Sequence, residues 1–321
     1  MRVSVVVPTF RRPDLLARCL DALGRQDLPA TDWEILIADD AASDTTRAQV
    51  EAAARAFAPV SVRYLAITAT RGPAAARNAG WRAGSGAIIA FTDDDCVPEP
   101  DWLRAGVTAL DRSGADALGG RIIVLLPTDP TDYERDVAGL EQAEFATANA
   151  WCRRDALVAV GGFDERFTLA WREDSDLQFA LITAGRTIAP APEVVVVHPV
   201  RPGRWGISLS QQRKSRFEAL LYRNFPRLYR AKISAGPPWA YYAAVVAGGV
   251  ALVGWPFSWP IATSALGVWL ILTARFCGKR LRHTSKRPSH VAEMLITSAL
   301  IPPLSVFWRL RGAVAYRVWF F

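Results

Sequence analysis

The chain has 321 residues, enough for one large domain or two ordinary ones with a substantial core. Its net charge of +7 conceals an asymmetry: residues 1–200 carry 20 Arg and no Lys against 29 acidic groups, a net of −9, whereas residues 201–321 carry 18 basic groups against only Glu218 and Glu293, a net of +16. The basic residues flank long apolar runs, which points to an anionic membrane face and away from nucleic acid. Cys19, Cys96, Cys152 and Cys277 lie far apart without a C-x-x-C pair, which excludes a zinc knuckle or a disulfide framework and favours buried thiols.

Val3 to Val7 predicts a first strand, entered directly from Met1-Arg2, so no signal peptide is expected and the first two hundred residues are expected to stay in the cytoplasm. Pro8 to Asp14 turns into a helix with Leu15, Leu16, Cys19, Leu20 and Leu23 on its apolar face, and Pro13 suits the first turn because its missing N–H costs nothing there. Glu34 to Ala38 predicts a second strand ending in Asp39-Asp40, followed by an Ala-rich helix to about Phe57. Val60 to Leu65 predicts a third strand, and Gly72-Pro73 opens a helix through Arg77-Asn78. Ala87 to Phe91 reads as a strand buried on both faces, and after Thr92 it runs into Asp93-Asp94-Asp95. Beyond it come a helix from Pro100, a strand over Leu118 to Leu126, a polar loop over Thr128 to Asp136, and a short helix after Thr147 to Cys152. A turn at Val160 to Glu165, a helix around Leu177 to Ile182, and a last strand over Val194 to Val197 complete this half, with His198-Pro199 at its end.

Strands alternating with helices imply a parallel, doubly wound sheet, whose ligands bind beyond the carboxyl ends of the strands. Thr9, Asp39, Asp40 and the triplet Asp93 to Asp95 all fall on that edge. Three adjacent carboxylates repel one another, and a hard divalent cation shared with a phosphate is a natural counterion. A solvated turn is the plain alternative; the other clusters on the same edge weigh against it. Glu173 and Asp174 stand at the amino end of a helix, where the dipole favours negative charge.

Together these residues resemble glycosyltransferase family 2. The resemblance rests on Val5-Val6-Val7-Pro8-Thr9-Phe10, Ala38-Asp39-Asp40-Ala41-Ala42-Ser43-Asp44, Arg71-Gly72 with Ala76-Arg77-Asn78-Ala79-Gly80, Thr92-Asp93-Asp94-Asp95, Gly161-Gly162-Phe163-Asp164-Glu165, and Glu173-Asp174-Ser175-Asp176-Leu177, in order over residues 3 to 200. It implies an α/β GT-A fold, a Rossmann-like doubly wound mixed sheet, and an inverting, metal-dependent transferase. It assigns Pro8, Thr9, Asp39, Asp40, Arg77, Asp93 and Asp94 to the nucleotide sugar. It assigns Asp93, Asp95 and His198 to Mg²⁺ or Mn²⁺, and Asp174, with Glu173 beside it, to the base. Thr168 to Arg172 replaces a loop that in many relatives bears glycine, and Trp171 is a candidate to stack on an acceptor sugar. A nucleotidyltransferase would place a Gly-rich, Lys-bearing loop after the first strand, and residues 8–14 contain neither. A catalytically dead membrane scaffold is the alternative outside the enzymes.

The tail interleaves Arg213, Lys214, Arg216, Arg223, Arg227, Arg230 and Lys232 with Trp205, Phe217, Leu220, Leu221, Tyr222, Phe225 and Leu228, an amphipathic pattern (201–235) suited to an anionic bilayer face. Trp239 to Ala274 is uncharged and turns at Pro256 to Pro260, which predicts a helical hairpin or a re-entrant pair with basic flanks on the cytoplasmic side. Val291 to Trp308 is apolar apart from Glu293; Pro302-Pro303 is expected to break it, and the segment 291–308 is expected to dip into or lie along the same membrane face. The domains expected are 1–200, catalytic; 201–235, juxtamembrane; and 236–321, membrane-associated. The implied enzyme sits at the cytoplasmic membrane and serves a lipid-linked or glycan acceptor.

Overall fold

The computed structural model describes residues 2–69 and 71–320. It divides into two compact units, one formed by the residues up to Leu125 with Ala138–Val200, the other by Leu126–Val137 with the chain from Arg201 onward.

The first unit opens as the apolar runs dictate, with β1 (Val3–Thr9), α1 (Pro13–Leu23), β2 (Trp33–Asp39), α2 (Asp44–Ala56), β3 (Ser61–Ala66), α3 (Pro73–Ala83) and β4 (Ile88–Phe91). β1 and β2 have almost no exposed side chain, and β1 pairs in parallel with both β2 and β4. Thr9 stands opposite Asp39, and Val6 opposite Phe91, so the polar residues that end these strands emerge on one edge. There follow β5 (Val97–Pro98), α4 (Trp102–Ser113), β6 (Ala117–Leu125), then α5 (Asp132–Val137), which belongs to the second unit, and β7 (Ala150–Arg153), α6 (Arg154–Val160), α7 (Glu173–Thr183) and β8 (Ile188–Pro199). The sheet order is β3-β2-β1-β4-β7-β6-β8-β5.

The parallel expectation drawn from strand–helix alternation holds for β3-β2-β1-β4 and for the β6–β8 pair. β7 runs antiparallel to both β4 and β6, and it lay hidden in a stretch expected to lead into a helix. Four residues show no usable alternation, and Ala150, Trp151 and Cys152 are buried on both faces. β8 is much longer than its apolar core because it follows β6 through a register shift at Gly120/Arg121. Asn149 spans that irregularity: its amide donates to the carbonyls of Arg121 and Val194, and its oxygen accepts from the indoles of Trp102 and Trp151. The expected loop at Thr128 to Asp136 contains α5, started by a capping box in which Thr131 and Glu134 bond reciprocally.

The second unit contains α8 (Ile207–Gln211), a 3₁₀ turn (Gln212–Ser215), α9 (Arg216–Asn224), α10 (Pro226–Lys232), α11 (Trp239–Val253), α12 (Trp259–Leu281) and α13 (Pro288–Ala315). The apolar residues Phe217, Leu220, Leu221 and Tyr229 of the basic stretch 201–235 are covered by protein. The expected break at Pro302-Pro303 does not occur, and α13 runs through both prolines. Two missing N–H donors weaken one turn, and packing of α13 against α9, α11 and α12 holds the rod together. α12 and α13 are long and apolar enough to cross a bilayer by length and composition.

Candidate active site

The carboxyl edge of β1, β2 and β4 carries most of the residues singled out above. Asp39 organises the loop it begins: its oxygens accept the N–H groups of Ala41 and Ser43 at 2.9 and 2.8 Å and the Tyr64 hydroxyl at 3.1 Å. Burial, helped by Asp39, pushes the Tyr64 phenol up to about 12. Asp40 accepts the Gly72 N–H at 3.0 Å, leaving Oδ1 buried without a partner among the described residues; burial raises its pKa. Gly72 is required here, since at φ +107° a Cβ would lie 2.9 Å from the Thr168 backbone.

The three carboxylates of the triplet have different fates. Asp94 is the most enclosed, accepting the Thr9 hydroxyl at 2.8 Å and an Arg12 guanidinium N–H at 3.2 Å. Desolvation pushes it up to about 6 against the pull of Arg12. Asp93 is more open and accepts from Arg77 at 2.6 Å. Asp95 lies 3.5 Å from His198 Nε2 and 3.6 Å from Arg12. One donor atom each from Asp95, Cys96 and His198 falls within a 4.8 Å cluster, all three residues being buried, and His198 Nδ1 has no partner among the described residues. A carboxylate and an imidazole converging there suit a hard or borderline divalent ion, so the residues fit the metal that the resemblance implies. Pro8, in β1, precedes Thr9 and is part-buried.

Arg77 connects this edge to α7. Only 2% of it is exposed, and while one terminal nitrogen holds Asp93, the other donates to Glu173 at 3.1 Å. The loop before α7 is fastened to α3 by Asn78, whose amide donates to the Phe163 carbonyl and Glu165, and whose oxygen accepts the Phe163 N–H and the Trp81 indole. Arg172 then starts α7 at φ 74°, left-handed and unusual for a side chain of that size, with its guanidinium 4.7 Å over the exposed Trp171 ring. Burial pushes Glu173 up to about 7, with Asp174 adding repulsion and Arg77 opposing it. Asp174 is raised for the same first reason, and its Oδ1 accepts the Ser175 N–H at 2.8 Å. Of the two, Glu173 is 3% exposed and tied to Arg77, whereas Asp174 keeps contact with solvent. Asp174 is therefore the more accessible of the two carboxylates at the start of α7.

This geometry meets the comparisons at one point. The family model for glycosyl transferase family 2 matches residues 4–161, and two full-scale relatives align over most of their own length. Glycosyltransferase AglE of Haloferax volcanii is 30% identical over 209 residues, covering 62% of this chain and 67% of AglE. Succinoglycan biosynthesis protein ExoM of Rhizobium meliloti is 30% identical over 230 residues, covering 67% of this chain and 72% of ExoM. The chain belongs to glycosyltransferase family 2. Its fold agrees with that of the mannosyltransferase PcManGT of Pyrobaculum calidifontis, solved with GDP-Man and Mn²⁺, at a TM-score of 0.64 and 22% identity over 96% of this chain and 87% of that one. TarS residues 1–349 of S. aureus, solved with UDP-GlcNAc, align at a TM-score of 0.52 and 16% identity over 99% and 92%. The architecture is thus GT-A, the chain is a glycosyltransferase, and its donor class is a nucleotide sugar.

Two neighbours of the candidate site escaped the sequence reading, and a third was read incompletely. Arg12 stands three residues past Thr9 and meets two members of the triplet; a basic residue just beyond the first strand was the available signal. Cys96, directly after the triplet, had no signal beyond adjacency. Arg77 was placed with the donor, and its bond to Glu173 depends on a pairing 96 residues apart that no local pattern encodes.

Proposed function

We propose that the chain moves a sugar from a nucleoside diphosphate donor to a hydroxyl of a lipid-linked or membrane-proximal glycan acceptor, by one inverting displacement that needs Mg²⁺ or Mn²⁺. The observation that carries this reading is the Asp93–Arg77–Glu173 bridge, which joins a donor-side carboxylate to the acidic start of α7 and leaves the neighbouring Asp174 open. In this reading Asp39, Asp40 and Thr9 shape the nucleotide end, while Asp95 and His198, with Asp93 nearby, hold the ion. When bound, the ion neutralises charge developing on the leaving diphosphate. Asp174 takes the acceptor proton as the new bond forms opposite the departing phosphate, and a single displacement of this kind inverts the anomeric centre. Trp171 offers a platform for the acceptor ring. Mn²⁺ and GDP-Man in PcManGT support the ion and the donor class.

The lipid-linked acceptor and the cytoplasmic-membrane location are supported by the apolar helices of the second unit and by its charge of +16 over residues 201–321. A donor screen by thermal shift with Mn²⁺ tests the reading: one nucleotide sugar should raise the melting temperature, since a ligand selective for the folded state stabilises it. Turnover of that donor with lipid acceptors should follow, and wild type indistinguishable from Asp174→Asn across all donors would sink it.

A further inference from the structure

We infer that the second unit enters the bilayer from one side and leaves by the same side, α11 and α12 forming a re-entrant hairpin whose tip stays in the hydrocarbon while α13 lies along the surface. The inference rests on the membrane reading above and specifies its topology.

Length gives the first argument. α11 has 15 residues, about 22 Å at the helical rise. α12 has 23 residues, yet Arg275 is the seventeenth of them, which leaves an uncharged arm of about 24 Å. Both fall short of the hydrocarbon core of about 30 Å. The turn between them, Gly254 to Ser258, has no charge to hold it in a far headgroup layer, and Phe257 at its apex is 85% exposed. Charge gathers at the other end, with Lys232 before α11 and Arg275, Lys279, Arg280 and Arg282 at the end of α12. Trp239, Tyr241 and Tyr242 lie at that same base, as aromatic residues do at an interface.

α13 gives the second, independent argument. Its covered face is mixed, with His290, Thr297, Ser298, Ser305 and Arg309 buried beside Met294, Ile301 and Val306, while Ile296, Leu300, Phe307, Leu310 and Val314 form one exposed apolar stripe. An exposed apolar stripe on a helix that buries several polar side chains suits lipid along one side. Beside α11 and α12, the basic stretch packs on this helix near both of its ends. The Trp205 indole donates to the Ser289 carbonyl and the Gly206 N–H to Glu293; at the far end Arg223 donates to the Tyr316 carbonyl, and Gly312 packs on the Arg216 backbone. A segment bearing Arg213, Lys214, Arg216 and Arg223 runs with α13 from end to end, so a spanning α13 would draw those charges through the hydrocarbon at a cost of several kcal/mol.

Impermeant maleimide labelling of the full-length protein in sealed vesicles of each orientation tests this, the four native cysteines being buried. Phe257→Cys should stay at background from both sides and label after detergent. Labelling from the face opposite His283→Cys overturns the re-entrant hairpin in favour of a full span. Labelling without detergent from the His283→Cys face overturns it by placing the hairpin outside the bilayer, which removes the membrane reading too. Trp319→Cys should label from the same side as His283→Cys; the opposite side would make α13 a span.

Discussion

The strand edge at Thr9, Asp39 and Asp94 and the outer stripe of α13 handle polarity in opposite ways. At the sheet edge, buried carboxylates are matched by donors from the backbone, from hydroxyls and from Arg12 and Arg77. Along α13 several polar side chains turn inward beside Met294, Ile301 and Val306, and a row of large apolar ones faces out. Buried polar groups need partners wherever they are, so on the membrane reading proposed above the difference lies in the medium outside. The first unit pairs its charges beside a site for a charged ligand, whereas the exposed apolar row of the second fits the lipid that this reading supplies. Each prediction below weakens one side of this contrast while leaving the other in place.

The largest effect belongs to Asp174. Asp174→Asn should lower kcat by about 10²–10⁴-fold, the usual worth of a general base, with donor affinity by titration preserved; a loss confined to KM would remove Asp174 from the chemistry. Arg77→Ala comes next, because it strands Glu173 and releases Asp93, and breaking a buried pair costs about 3–5 kcal/mol in denaturant unfolding. If the variant is as stable as wild type, the bridge is ornamental. On the other side of the contrast, Phe257→Asp should move the protein from the carbonate-washed membrane pellet to the supernatant, while activity in detergent on a soluble acceptor stays within about twofold of wild type. A charge at bilayer depth is costly by about 3 kcal/mol.

A pH profile sharpens the first unit further. Desolvation raises Asp174, and it pushes its neighbour Glu173 up to about 7. The base acts ionised, so kcat/KM should climb with pH through a value above the ordinary carboxylate range. Arg77 favours the ionised forms, so Arg77→Gln should carry that limb to higher pH; an unmoved limb would show that another group sets it. The smallest effect concerns Arg172, left-handed at φ 74°. Arg172→Gly should relieve that backbone and raise stability by up to about 1 kcal/mol. A fall in stability would mean that its stacking on Trp171 outweighs the strain.

What was legible in the residues follows from range. Strands announced by apolar runs end where the runs end, so the residues alone place Thr9, Asp39 and the triplet on one edge. β7 was not, because four residues buried on both faces carry no period and its antiparallel sense is set by partners far along the chain. α5 had a readable start in Thr131 and Glu134, masked by the prolines before it. The Pro302-Pro303 pair misled because local propensity forbids what tertiary packing on α9, α11 and α12 tolerates. The candidate cluster of Asp95, Cys96 and His198 was partly visible, since His198 ends the last apolar strand, but nothing local brings Arg12 to Asp94.

The chain leaves the first unit after Leu125, spends Leu126–Val137 in the second, and returns at Ala138. During that excursion Asp132 pairs with Arg280, while Asp129 accepts from Ser285 and pairs with Arg287. Cutting the protein after Val200 would therefore not release a clean enzyme, because it would leave a stub whose carboxylates have lost their arginines. Leu126–Val137 thus belongs with the C-terminal helices, and an exchange of tails between relatives would have to carry that inner patch along with them.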